Sequence, residues 1–301
     1  MTKSLDVAVV GEIFVDHILH GFERWPELGQ EIYCDRYVRE IGGGTANTAC
    51  ALAKLGRKTA IYGCIGTDDA GWLRARLAAC GVLDEALEEI EGASGVTVSV
   101  STSDDRTFFT YPGANRELAN RLASRAFSSA LAEARHVHFA CPISFEAADA
   151  LFPALRDSGC TISLDAGWHP KWLQSPETAK ILRMLDWFFP NRKEASCMTR
   201  LENPRLENPR DILRRLGCGI ALKLGREGAA MLDGDKLLVV EAPETEVVDT
   251  TGAGDAFNAG FLDAFLDGGR PVEWLRRGVI CGSLSTRAAG ALAGLPIREE
   301  L

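Results

Sequence analysis

The chain has 301 residues, 46% of them hydrophobic, enough for one large α/β domain or a domain with a small appendage. A net charge of −9 and a pI near 5.2 argue against a nucleic-acid-binding surface, so any small anionic ligand needs a local basic pocket. No apolar run reaches the roughly 18 residues of a membrane span, and the opening residues carry no signal-peptide pattern, so a soluble cytoplasmic protein is expected, with neither membrane nor nucleic acid as partner.

Nine cysteines occur without a CxxC pair or a Cys/His cluster at zinc spacing, and read as reduced core thiols. Residues 5–11 (LDVAVVG) predict a buried strand ending in glycine, the usual opening of a parallel sheet. No helix follows. Residues 13–19, with Asp16 and His17, and residues 30–41 predict two more extended pieces, the second alternating like a half-exposed strand. Two strands ahead of the first helix suggest a small β lid beside the main domain. The turn Gly42, Gly43, Gly44 then opens a helix through Thr45, Ala46 and Asn47 that ends at Gly56. Three glycines alone read equally as a flexible hinge.

Residues 58–65 and 68–81 predict a strand and a helix in a βαβ rhythm. Residues 96–101 and 107–111 flank the polar turn Ser103-Asp104-Asp105-Arg106, a hairpin completing the lid. Phe108, Phe109 and Tyr111 give it alternating aromatic positions, one face suited to covering a ligand and the other to packing on a second copy, hence an expected homodimer through the lid. Core packing explains any one of them equally. The expected order then runs helix to Ala134, strand 136–140, helix to Ser158, strand 161–165, helix 178–185 and strand 187–189. His136 and His138 within it read as structural. Asn191 and Glu194 stand three apart at a helix start, a spacing that serves either reciprocal capping or a shared ligand.

The duplicated LENPR of residues 201–205 and 206–210 reads as a surface loop insertion. Residues 219–224 predict a strand, and Lys223-Leu224-Gly225-Arg226-Glu227-Gly228 a loop in which Lys223 and Arg226 either contact phosphate or form salt bridges. Strands at 229–232 and 236–240 follow. Residues 247–265 then read as strand end, tight loop and helix start, with Phe257, Phe261, Ala264 and Phe265 on one helical face. A last amphipathic helix covers 272–288.

The 247–265 junction carries the chemistry. A helix N-terminus presents unpaired amides and the positive end of the macrodipole, and Gly252, Ala253 and Gly254 leave those amides open to a phosphoryl group. Asp255 beside them is placed to take a proton from an attacking hydroxyl, although the helix end favours its ionised form and so weakens it as a base. A bare GxGD is explained equally by a capped turn. The full string Asp249, Thr250, Thr251, Gly252, Ala253, Gly254, Asp255, Ala256, Phe257 closely resembles the C-terminal signature of the ribokinase-like, or pfkB-type, carbohydrate kinases. The run through Pro26, Gly29, Glu31, Gly42, Gly43, Ala46, Asn47, Ala49 and Leu55-Gly56 is similar to that family's N-terminal signature.

The resemblance covers essentially the whole chain. It implies a three-layer α/β/α sandwich with a mostly parallel sheet, a main domain of residues 1–11, 42–92 and 113–301, and a β lid of 12–41 and 93–112. It further implies ATP-dependent, magnesium-requiring phosphorylation of a primary hydroxyl on a small sugar. Asp255 is then the base, Gly252, Ala253 and Gly254 the anion hole, and Asp16, Gly43, Gly44, Asn47 and Asn115 the acceptor contacts. Asn191, Glu194, Lys223, Gly225, Arg226 and Gly228 face the nucleotide, with Glu194 reaching Mg²⁺ through water, while Asp249 and Thr251 belong to a monovalent cation loop suited to K⁺. The segment Ala140 to Ser144 (ACPIS) lacks the glutamate that ribokinases proper carry there, which makes ribose doubtful. A nucleoside kinase and a sugar-binding regulator without turnover remain as alternatives. No Gly-Lys dipeptide and no GxGxxG occurs, which excludes a P-loop and a standard dinucleotide fingerprint.

Overall fold

The computed structural model describes residues 3–102, 106–199, 208–216 and 219–301. Ser103, Asp104, Asp105, Cys218 and most of the LENPR duplication lie outside these. Thirteen strands are described: β1 (Leu5–Val10), β2 (Phe14–Phe22), β3 (Arg36–Gly42), β4 (Thr59–Gly66), β5 (Leu87–Ile90), β6 (Gly95–Thr102), β7 (Arg106–Tyr111), β8 (Ala134–Phe139), β9 (Thr161–Leu164), β10 (Trp187–Phe188), β11 (Ala221–Lys223), β12 (Ala229–Asp233) and β13 (Lys236–Val240).

The central sheet is parallel, in the order β10-β9-β8-β1-β4-β5. Its first strand is apolar at every core position because both faces are covered. Ala8 and Val10 pack into one hydrophobic cluster with Leu151, Phe152 and Leu155 of the helix Phe145–Asp157. Val7 and Val9 pack into the other, with Ala49 and Leu52 of the helix Gly44–Lys54 and Phe261 and Leu262 of the helix Ala253–Leu266. The result is the expected α/β/α sandwich. Isolated parallel bridges Phe188–Ile220 and Asn191–Lys223 attach the antiparallel β11-β12-β13 unit to its edge. A separate sheet runs β3-β2-β6-β7, antiparallel except for the parallel pairing of β2 with β6.

Several expected boundaries give way to tertiary contacts. β3 starts at Arg36, not residue 30, because Asp35 is the first residue whose amide finds a partner on β2, the carbonyl of His20. β5 was not expected; two of its four residues, Glu88 and Glu89, are charged, and it pairs only with the end of β4. The helix expected up to Ala134 is three short pieces, interrupted where the Ser124 hydroxyl accepts from the Phe127 amide and starts a new helix. No strand precedes the loop at 247: the amides of Val248 and Asp249 donate instead to the carbonyl of Thr286, across the molecule.

One buried ionic cluster joins the helices on one face. Asp263, fully buried, accepts from Arg57 at 2.6 Å and pairs also with Arg277 and Arg298. Asp263→Ala leaves three guanidinium groups without their shared partner, and a loss of about 3–5 kcal/mol is expected in denaturant unfolding. A loss under about 1 kcal/mol would show that Asp267, which also meets all three arginines, carries the cluster.

Candidate active site

The carboxyl ends of β1, β8 and β9 and the N-termini of two helices converge on one cleft, the place where open α/β sheets take ligands. It measures about 240 Å³, and Glu12, Phe14, Gly44, Asp165, His169 and Asp255 line it. A larger cavity of about 490 Å³ lies on the far side of the Gly252 turn, lined by Lys223, Arg226, Thr250, Gly254, Phe257 and Val279 among others. Gly254 and Asp255 are consecutive residues, so a single turn of backbone separates the two spaces.

Local geometry explains the glycines. Gly252 is the N-cap of the helix Ala253–Leu266 at φ 73°, a left-handed conformation that costs a glycine nothing, and a Cβ there would stand 2.6 Å from that of Ala291. The amides of Gly254 and Asp255 fall in the first helical turn, where the helix itself supplies no acceptor. Ala253 differs: its N–H turns back to the Thr250 carbonyl at 3.3 Å. On the opposite wall Gly43, at φ 88°, caps the helix Gly44–Lys54 and passes 2.7 Å, measured from an added Cβ, from the Glu12 carbonyl.

Asp255 faces the cleft, and its Oδ2 accepts from Asn47 Nδ2 at 2.8 Å. Burial, then the nearby charge of Asp165, push its carboxyl up to about 6. The helix end therefore does not decide its basicity, contrary to expectation, because desolvation outweighs a dipole effect of roughly 0.3–1 kcal/mol. Asp16 on β2 is pushed up to about 7 by burial, then by Glu40 and Asp255. Among the described residues no donor reaches the Asp16 carboxylate. Gly42 makes room for it: an added Cβ would sit 1.9 Å from Asp16 Oδ2.

Lys223 lies between the two spaces. Its Nζ donates to Asp165 Oδ2 at 2.6 Å and to Asn258 Oδ1 at 3.4 Å, while Asn258 Nδ2 donates to the same Asp165 oxygen at 2.7 Å. Burial opposes both charges, but the pairing outweighs it, holding Asp165 below and Lys223 above their ordinary values. The ammonium also lies 3.2 Å from the Cβ position of Gly254, beside the helix end.

Asn191 and Glu194 form a reciprocal capping box, each accepting from the other's backbone amide at 2.8–2.9 Å, with Asn191 Nδ2 also donating to Glu194 Oε1 at 2.7 Å. Glu194 is buried and its carboxyl is raised, first by that burial and then by Asp165. Gly225, Arg226 and Gly228 line the larger cavity. Asp249 accepts from the Thr251 amide and hydroxyl and from the Gly290 amide at 2.7–2.9 Å, pinning the loop to the end of the chain.

Asn115 takes a different place from the one expected. Its side chain exchanges two hydrogen bonds with the backbone of Ile13, at 3.0 and 2.9 Å, and so clamps the root of β2 instead of lining the cleft. Sequence reasoning also missed Glu12, Asp165, Asn258 and His169. Glu12 follows an expected strand end directly, Asp165 is the last residue of an expected strand, and Asn258 lies one helical turn beyond Asp255, so position along the elements was the available signal.

The sequence matches the pfkB family carbohydrate kinase profile over residues 4–298. The chain belongs to the pfkB family of carbohydrate kinases. It is an enzyme of the phosphotransferase class. A ribokinase from Lactococcus lactis is 26% identical over 308 residues, covering 100% of this chain and 96% of that protein. A nucleoside kinase from Methanothermobacter thermautotrophicus is 28% identical, covering 89% of this chain and 85% of its own length. The structure of Arabidopsis thaliana ribokinase complexed with ribose and ATP superposes with a TM-score of 0.86 at 28% identity, covering 98% of this chain and 97% of that one. The family thus spans sugar and nucleoside acceptors.

Gly42→Ala tests the acceptor wall. The added Cβ, 1.9 Å from Asp16 Oδ2, must push that carboxylate aside by roughly 1.5 Å, which is expected to lower kcat/KM by about 10²-fold, mostly through acceptor KM, with folding checked by circular dichroism. Unaltered kinetics would mean that Asp16 makes no contact with the acceptor.

Proposed function

We propose that this kinase transfers the γ-phosphoryl group of ATP to a primary hydroxyl of a small sugar, with Asp255 as the base. One observation carries the reading: Asp255 faces the smaller cleft while Gly254 and Lys223, its neighbours, line the larger one. Reaction across that wall brings the two substrates together only there. The acceptor O–H gives its proton to Asp255 as the new O–P bond forms, and the bond from the γ-phosphorus to the bridging oxygen breaks, leaving ADP. The open first-turn amides and the Lys223 ammonium bear the charge spread over the equatorial oxygens. Asn47, donating to Asp255 Oδ2, orients the carboxylate and leaves its other oxygen for the hydroxyl.

The larger cavity suits the nucleotide. Val247, Phe257 and Val279 offer an apolar wall for a purine, and Gly225, Arg226, Gly228 and Lys223 border the path towards the Gly252 turn. A divalent magnesium ion, which screens phosphate charge when bound, is suited by the oxygen donors of Asn191 and the buried Glu194, acting through water because the two side chains already bond each other. Asp249 already accepts three protein donors, so a potassium ion beside Asp249 and Thr251 would rely on backbone carbonyls, and no step depends on it. The β3-β2-β6-β7 sheet, with residues 12–41 and 93–112, acts in this reading as the lid over the acceptor. By the strand register Tyr37, Phe109 and Tyr111, all exposed, share one face, which serves for a second copy, while Phe108 lies on the opposite face with Asp16.

A sugar is favoured over a nucleoside by volume, since about 240 Å³ lies below the roughly 300–1,000 Å³ of sites for larger ligands. Ribose is disfavoured because Cys141 and Ile143 are committed to the core and Ser144 caps the next helix, so that segment offers the acceptor no carboxylate.

Asp255→Asn is expected to lower kcat by about 10²–10⁴ with unfolding unchanged, measured by steady-state ADP release and denaturant titration. Turnover within threefold of the parent enzyme would remove Asp255 from the chemistry. In the parent enzyme the base must be ionised, so kcat/KM should hold at neutral pH and fall tenfold per unit as pH drops through the raised value of about 6. Asp16, pushed up to about 7, titrates in the same window, so the acid limb belongs to the interacting pair. An acid limb near pH 4 would mean that the cleft is wetter than its burial implies.

A further inference from the structure

The cleft is crowded with acceptors of hydrogen bonds and poor in donors. Glu12, Asp165 and Asp255 line it and Asp16 adjoins Asp255 through their mutual repulsion. Among the described residues, the Glu12 and Asp16 carboxylates receive no side-chain donor. Asn47 adds a third case: it is 6% exposed, its amide nitrogen is spent on Asp255, and its Oδ1 has no partner. A buried acceptor without a donor is costly, and Asn47 Oδ1, with the half-buried carboxylates of Glu12 and Asp16 beside it, points to a ligand that brings several donors.

The balance of charge points the same way. Among the described residues lining the cleft, His169 is the one side chain that can become a cation, and it interacts with Glu12. Lys223 is bound to Asp165 on the far side, and Lys193 lies 4.2 Å over the Trp168 ring. Among the described residues no arginine or lysine lines the space. An acceptor bearing a phosphate or a carboxylate would bring another negative group among Glu12, Asp16 and Asp255, whose charge no lysine or arginine pairs among the described residues, and such like-charge contacts are a strong means of rejection. Hydroxyl groups donate to the same carboxylates without that penalty.

Resting on the kinase reading above, we propose that the acceptor is an uncharged polyhydroxy sugar, and that Glu12 and His169 form the subsite that selects it against phosphorylated and carboxylated sugars. Glu12 accepts from hydroxyls at the end of the sugar away from Asp255. His169, at the exposed rim, donates to or accepts from a further hydroxyl. Phe14 covers the C–H face of the ring between them.

The test is a panel of neutral pentoses and hexoses, with the matching aldonates and sugar monophosphates, assayed with magnesium and ATP for ADP release and product mass. Acceptor-induced changes in Tm are read in parallel. The expected result is a kcat/KM for a neutral sugar at least about 100-fold above that for its acidic counterpart, and a Tm rise with neutral sugars only. Glu12→Gln and His169→Arg should each narrow that ratio by tenfold or more, a change that a merely structural role would not produce. Efficient turnover of an acidic sugar, or ratios unmoved by both variants, would overturn the inference while leaving the kinase reading standing. No phosphorylated product from any acceptor, with no Tm response, would overturn the kinase reading and this inference with it.

Discussion

The Lys223–Asp165 ion pair, buried and completed by Asn258, is the contact on which the arrangement of the site depends. It ties the edge strand β11 to the end of β9 and to the second turn of the helix Ala253–Leu266, three elements far apart in the chain. Such pairs add little net stability, because desolvating the two charges offsets most of their attraction. Their value here is placement. The ammonium is held beside the open helix end, where phosphoryl charge develops in the proposed reaction, and the aspartate is held where its charge raises Asp255.

Burial then governs the carboxylates. Asp255 and Asp16 stand in a space where charge is poorly solvated and each repels its neighbours, so both titrate well above the ordinary range for aspartate. In the proposed reaction, a base pushed up to about 6 is better matched to neutral pH than an ordinary carboxylate, and the same crowding underlies the proposed preference for an uncharged acceptor. In that reading, basicity and selectivity share one physical cause.

Much of the fold was legible because its signals are local. The unbroken apolar run of β1, glycine-stopped helices and the DTTGAGDAF string depend on near neighbours in sequence, and the structure places each where periodicity and turn chemistry put it. What failed was long-range. The loop before Gly252 looked like a strand because Val247 and Val248 are β-branched, yet their backbone is directed to Thr286. Asn115 looked like a ligand contact but is consumed by Ile13, a residue 102 positions away.

By itself the sequence determined the layered α/β architecture, the family and the junction at which Asp255 meets the open amides, since these rest on residue type and spacing within about twenty positions. Only the tertiary structure decided which groups share a space and how they titrate. Glu12 and Asp16, Asn47, Asp165 and Asp255 come from four separate segments, and neither desolvation nor repulsion between them exists until the chain has closed around the cleft.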